Sequence, residues 1–209
     1  MGTMSKPRLY IKRADDTSAL FDFKCGVKSM DDFIHDKVNG LAKFISYKIS
    51  TLWLVYEDDK VVAFFALSKD SLVLTGDDIR TIGDDEKKSA ALPSQDEDKF
   101  WERAKFPAVE IDYLAVCQEK RDDPEEHLGR ALIAKIEELV RNDKLSATLF
   151  LTVEALDTKE YSAVGFYREC DFEFSEKGKI QNYNRMRYGE RPTTQRMYKV
   201  IYNTPQEHE

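Results

Sequence analysis

The chain has 209 residues, of which 42% are hydrophobic and 11% aromatic, enough for one domain with a real core and incompatible with global disorder. Its net charge of −7 disfavours a duplex-binding protein, which needs a basic face. No apolar run approaches the roughly 20 residues of a membrane helix, and Met1–Pro7 lacks an apolar secretory core, so a cytoplasmic location without membrane attachment is expected.

Arg8 to Arg13 alternates as a short strand. Ser29 reads as the N-cap of a helix with Asp32 three residues on. Phe33, Val38 and Leu41 follow at helical spacing, and Gly40 is placed to interrupt them. Thr51–Tyr56 and Val61–Ser68 are β-branched and aromatic runs joined by Glu57-Asp58-Asp59-Lys60, the pattern of a hairpin. From about 75 to 105 the chain is acidic and polar, with Gly76, Gly83 and Pro93. That stretch is longer than an ordinary connection. It reads as an insertion, either mobile or an irregular arm, anchored by Phe100-Trp101.

Val109–Val116 alternates at first and ends fully apolar, as a central strand does. Leu128, Leu132, Ile136 and Leu139 mark one face of a helix running to about Arg141. Thr148–Val153 is another strand, and Asp157-Thr158-Lys159-Glu160 has the form of a helix cap. Phe172–Phe174 and Arg196–Tyr202 are expected as the last strands, with Lys177–Arg191 between them a basic solvated loop or hairpin. Antiparallel strands followed by strand–helix–strand–helix–strand imply a mixed sheet with helices on its faces. Cys25, Cys117 and Cys170 are odd in number and lack metal spacing, as do the histidines, so reduced structural thiols and no metal are expected.

The strand ending at Val116, the polar loop and the helix with Gly129 in its first turn form a unit whose N–H groups could bind an anion. Arg121 and Arg130 could add charge. Many such units bind nothing. However, Leu114-Ala115-Val116, a loop and Leu128-Gly129-Arg130-Ala131-Leu132-Ile133 resemble the acyl-CoA-binding segment of the GNAT superfamily. Ala163-Val164-Gly165-Phe166-Tyr167-Arg168-Glu169-Cys170-Asp171-Phe172 is similar to that family's Ala-x-x-Phe-Tyr-x-x-x-Gly-Phe stretch. Cys25-Gly26 followed by Met30-Asp31-Asp32-Phe33 resembles a segment of the subgroup that includes toxin-type acetyltransferases. The phosphate loop departs from the family pattern. Counted backward from Gly129, His127 stands for a glycine and Pro124 for the Arg or Gln. Counted forward from Val116, Arg121 takes the Arg position and about three residues are extra, with Asp122, Asp123, Glu125 and Glu126 close by.

The resemblance implies a single GNAT-like α+β domain over 1–209, its twisted, mainly antiparallel sheet of six to seven strands flanked by about four helices. It implies an N-acetyltransferase that moves an acetyl group from acetyl-CoA, its co-substrate, to a primary amine on a small molecule or protein. The amine attacks directly in a ternary complex, and no metal takes part. Leu114, Ala115, Val116, Arg121, His127, Leu128, Gly129 and Arg130 would hold the cofactor. Tyr167 would protonate the departing thiolate, and Glu110 would take the amine's proton, with Asp112 on the same strand face as the alternative. Two rival readings stand beside it. One is a catalytically weak GNAT-fold module that binds acyl-CoA or a partner. The other is a toxin-type aminoacyl-tRNA acetyltransferase, the one case in which nucleic acid, as tRNA, would be a partner. A homodimer is left open.

Overall fold

A computed structural model of the chain describes residues 8–92, 98–121, 127–187 and 193–201. Its first half runs β1 (Leu9–Ala14), a 3-10 turn (Ser18–Leu20), α1 (Lys28–His35), α2 (Leu41–Ser46), β2 (Thr51–Glu57), β3 (Lys60–Leu72), α3 (Gly76–Asp84), α4 (Glu86–Ala91) and α5 (Asp98–Trp101). Then follow β4 (Phe106–Val116), α6 (Gln118–Arg121), α7 (Leu128–Arg141), β5 (Phe150–Leu156), α8 (Val164–Glu169), β6 (Glu173–Phe174), α9 (Glu176–Arg187) and β7 (Thr194–Val200). The seven strands form one mainly antiparallel sheet in the order β1-β2-β3-β4-β5-β7-β6, the mixed α/β arrangement expected. Contacts group the residues into two compact units, one of 1–68 and 111–132, the other of 69–110 and 133–209.

In the first unit the hairpin is as read, closed by Asp58 at φ 52 and running from Thr51 opposite Leu67 to Glu57 opposite Lys60. Cross-strand aromatic pairs hold it: Trp53 stacks on its partner Phe65 at 6.1 Å, and Tyr10 on Tyr56 at 5.0 Å. Val62–Ala66 is wholly buried, the signature of an interior strand. Helix α1 begins at Lys28 with Val27, not Ser29, at its cap. The Asp31 carboxylate accepts from the N–H groups of Cys25 (2.8 Å) and Gly26 (3.0 Å), while Asp32, the acid of the expected cap, pairs with Lys28. Gly40 separates α1 from α2, as expected. A Cβ there would lie 2.2 Å from the Phe33 carbonyl and 2.3 Å from that of Asp36.

In the second unit the described residues of the acidic stretch form no irregular arm but three helices, α3 to α5. Its charges are used both near and far in sequence. Thr75 and Asp78 form a reciprocal capping box, and the other Asp78 oxygen accepts the Glu176 N–H at 2.8 Å. Lys88, 7% exposed, pairs with Glu173. Leu72, Ile82, Leu92, Phe106, Ala108, Phe150, Tyr198 and Val200 form a core cluster, so α3 and the residue that follows α4 contribute to it. Phe100 and Trp101 pack on Phe106 at 5.5 and 5.8 Å, the anchor their sequence suggested. Two further expectations change. Asp157 opens no helix: its carboxylate is bonded by Gln195 Nε2 (2.8 Å), residue 157 bridges Ser162, and α8 starts at Val164. The basic stretch begins as a helix, α9, with Lys179 and Arg187 exposed; Arg191 falls outside the described residues.

Candidate functional site

The first unit carries the strand end and the helix start. In β4, Ala115 is buried while Leu114 and Val116 are partly exposed. The strand then turns away, because the Cys117 N–H bonds to the Val62 carbonyl (2.8 Å) and the Gln118 N–H to the Lys24 carbonyl (3.1 Å). Helix α7 starts where the periodicity placed it. Ala131 N–H donates to the His127 carbonyl at 3.1 Å, so His127 occupies the cap and the N–H groups of Leu128, Gly129 and Arg130 precede the first intrahelical bond. The side chains of His127 and Arg130 are exposed. Asp122, Asp123, Pro124, Glu125 and Glu126 lie outside the described residues.

Arg121 is turned onto the protein itself, its guanidinium donating to the Cys25 carbonyl. Together with Asp31 this fixes the Cys25-Gly26 turn, where Gly26 at φ 76 needs glycine's freedom. A Cβ on Gly26 would also meet the Gln118 side chain at 2.8 Å. Burial pushes the Cys25 thiol up to about 11, so it stays protonated, and all three cysteines are free and buried. The Cys25-to-Asp31 segment therefore acts as a clasp between α1 and the end of β4.

The second unit carries Tyr167 and Glu110. Tyr167 is 5% exposed on α8, edge-on to Phe166 (5.1 Å) and to Phe172 (5.2 Å). The helix ends in a left-handed residue, Asp171 at φ 66, where the Phe172 N–H returns to the Tyr167 carbonyl at 3.0 Å. Asp171 thus takes, at φ 66, the left-handed conformation that suits the glycine of the motif this stretch resembles. Burial, reinforced by Tyr161 and Cys170, raises the Tyr167 hydroxyl well above its ordinary value, so it holds its proton at neutral pH.

Glu110 is not presented alone. Its Oε1 lies 3.0 Å from Arg196 on β7, which also binds Asp70 and reaches Glu154 at 3.7 Å. Asp70 in turn accepts from the Thr152 hydroxyl. Burial alone would lower the Arg196 guanidinium, but Glu110 and Asp70 outweigh it and raise it. Sequence reasoning missed this cluster. Its signal was a charged residue on each of four strand segments, which spacing along one segment cannot join. Among the described residues no group of side chains is arranged to hold a metal.

Neither a scan against protein-family models nor a search of curated proteins finds a match. Solved structures do match. A Tyr-to-Phe mutant of KacT aligns with TM-score 0.58 at 19% identity, covering 92% of this chain and 95% of that one. AtaTR bound with AcCoA aligns at 0.59 and 19%, covering 92% and 94%. AtaT complexed with acetyl-methionyl-tRNAfMet aligns at 0.54 and 22%, covering 79% and 87%. At these identities the likeness establishes the fold alone: the chain has the mixed α/β architecture of these structures, the fold class its sequence led one to expect.

Proposed function

We propose that the chain is an acetyl-CoA-dependent N-acetyltransferase in which a primary amine attacks the thioester directly. The observation that supports this most is the fold shared over nine-tenths of the chain with a structure that holds acetyl-CoA. Backbone N–H groups at Leu114–Val116 polarise the thioester carbonyl, and the start of α7 at His127–Arg130 faces the pyrophosphate. The amine nitrogen forms the new C–N bond, the C–S bond breaks, and the sulfur leaves with the electron pair. Tyr167 gives its proton to that thiolate, and the amine's surplus proton passes to a β4 carboxylate. Burial that holds the proton on Tyr167 also makes a thiolate beside it more basic, so the transfer is not forfeited. Glu110 is the proposed base, acting through water since Oε1 is engaged by Arg196; Asp112, bonded by the Ser68 hydroxyl at 2.8 Å, is the alternative. Arg121 contributes by holding the β4 exit.

The decisive experiment is calorimetric titration with acetyl-CoA followed by thiol release against a panel of amines. Binding with amine-dependent thiol release supports the proposal, and no binding at millimolar acetyl-CoA overturns it. A second reading, that the acceptor is the amine of an aminoacyl-tRNA, is favoured by the likeness to AtaT in complex with an acetylated aminoacyl-tRNA. Growth arrest on expression, relieved by Tyr167→Phe, distinguishes it from a small-molecule acetyltransferase.

A further inference from the structure

Given the proposed role of Glu110 as base, on which the following rests, the residues around it must keep it able to take a proton. Register places Arg196 of β7 directly opposite Glu154 of β5, the cross-strand neighbour with which an arginine ordinarily pairs. Arg196 passes over it. Its Nη1 is 3.7 Å from Glu154 but 3.0 Å from Glu110 on β4, and Nη2 reaches Asp70 on β3. The sheet order β3-β4-β5-β7 sets those two targets two and three strands away, roughly 10 and 14 Å at about 4.8 Å per strand. The side chain is therefore drawn out along the sheet face and held at its far end. Thr152, wholly buried on β5, anchors Asp70 in turn by donating its hydroxyl.

A tie between strands would not need this arrangement, because backbone pairing already joins β3, β4, β5 and β7. Three carboxylates around one guanidinium also leave two negative charges in excess, in a cluster where Arg196, Asp70 and Glu110 are only 21%, 18% and 21% exposed. The acids gathered with Glu110 are Asp70 from β3, Glu154 from β5 and, next along its own strand face, Asp112. Like charges so placed favour protonating one of them, and a cation in contact opposes it. Burial works against the guanidinium's own charge, and Glu110, ahead of Asp70, restores it. That attraction is mutual. We infer that Arg196 is a positioning residue of the reaction: it aims the Glu110 carboxylate and keeps it in the proton-accepting form, acting on the amine only through Glu110.

The test follows kcat against pH at saturating acetyl-CoA and amine, where the acidic limb reports the base in the ternary complex. Arg196→Met should move that limb to higher pH by at least about one pH unit. Arg196→Lys, a cation without the planar fork, should restore part of the shift. Asp70→Asn keeps an oxygen for Thr152 and removes a competing charge, so its limb should move the opposite way, to lower pH. A purely structural Arg196 would lower the rate at every pH and leave the limb in place, so poor folding cannot imitate two opposite shifts. Limbs that stay put, or that move the same way in Arg196→Met and Asp70→Asn, overturn the inference. So does a Glu110→Gln protein with undiminished kcat, and acetyl transfer then stands without it. A wild-type protein that turns over no amine sinks the proposed function instead. In that event the Glu110 carboxyl is titrated directly by carbon NMR. A midpoint that Arg196→Lys and Asp70→Asn leave unmoved overturns the hold of Arg196 on Glu110, whereas a moved one sustains it.

Discussion

Replacing Tyr167 by phenylalanine removes one oxygen and leaves the edge-on packing against Phe166 and Phe172 in place. If the hydroxyl is the proton donor, Tyr167→Phe should lower kcat by roughly 100-fold or more with little change in acetyl-CoA affinity. Single-turnover kinetics beside calorimetry check this, and an unchanged rate removes Tyr167 from the role. The same residue makes a stability prediction. Its folded pKa is raised by burial, as is that of Tyr198, while an unfolded tyrosine titrates near 10. Below about pH 10 both states keep the proton and the stability is fully present. Above it the unfolded state releases protons that the folded state retains, so stability falls as pH rises. Thermal melts on either side of that pH should show the drop, and it should be smaller in Tyr167→Phe.

At the scale of elements, the turn between α1 and α2 brings backbone close to Gly40. Because an added Cβ would overlap two carbonyl oxygens, Gly40→Ala should destabilise by about 2–4 kcal/mol, measured from the urea midpoint at unchanged m. Asp78, 3% exposed, closes the α3 capping box and also caps Glu176. Asp78→Ala should therefore cost about 2–3 kcal/mol. These elements also separate what the sequence disclosed from what it concealed. The hairpin, the α7 boundaries and the break at Gly40 were legible because each is set by neighbours a few residues away. Ser29 and Asp157 were misread as helix starts because the acids involved answer to other partners: Asp32 to Lys28, Asp157 to Gln195 thirty-eight residues on. The acidic stretch looked structureless because Ile82 and Leu92, the residues that bury it, are sparse among charges and find their core only in β3, β4, β5 and β7.

For the whole molecule, the end of α8 was readable through the Phe166-Tyr167 stretch, but Arg196 and Asp70 around Glu110 were not, since three separate strands supply them. The phosphate half depended on two registers, and the folded chain places Arg121 on the Cys25 carbonyl rather than toward solvent. Cofactor contacts would then rest on backbone N–H groups at Leu128–Arg130 and on the exposed His127 and Arg130. Such contacts exist only in the folded state, so acetyl-CoA should stabilise it by mass action, by about 2.7 kcal/mol at a hundred times Kd. At about 2–4 °C per kcal/mol for a chain of this size, the melting temperature should rise roughly 5–10 °C. Arg130→Ala should reduce that shift without changing the melting temperature of the ligand-free protein by more than about a degree, because its side chain is exposed. Dephosphorylated and pantetheine-only analogues then apportion the shift between α7 and β4. A full shift with pantetheine alone would remove the α7 start from the binding site and leave β4 as its sole support.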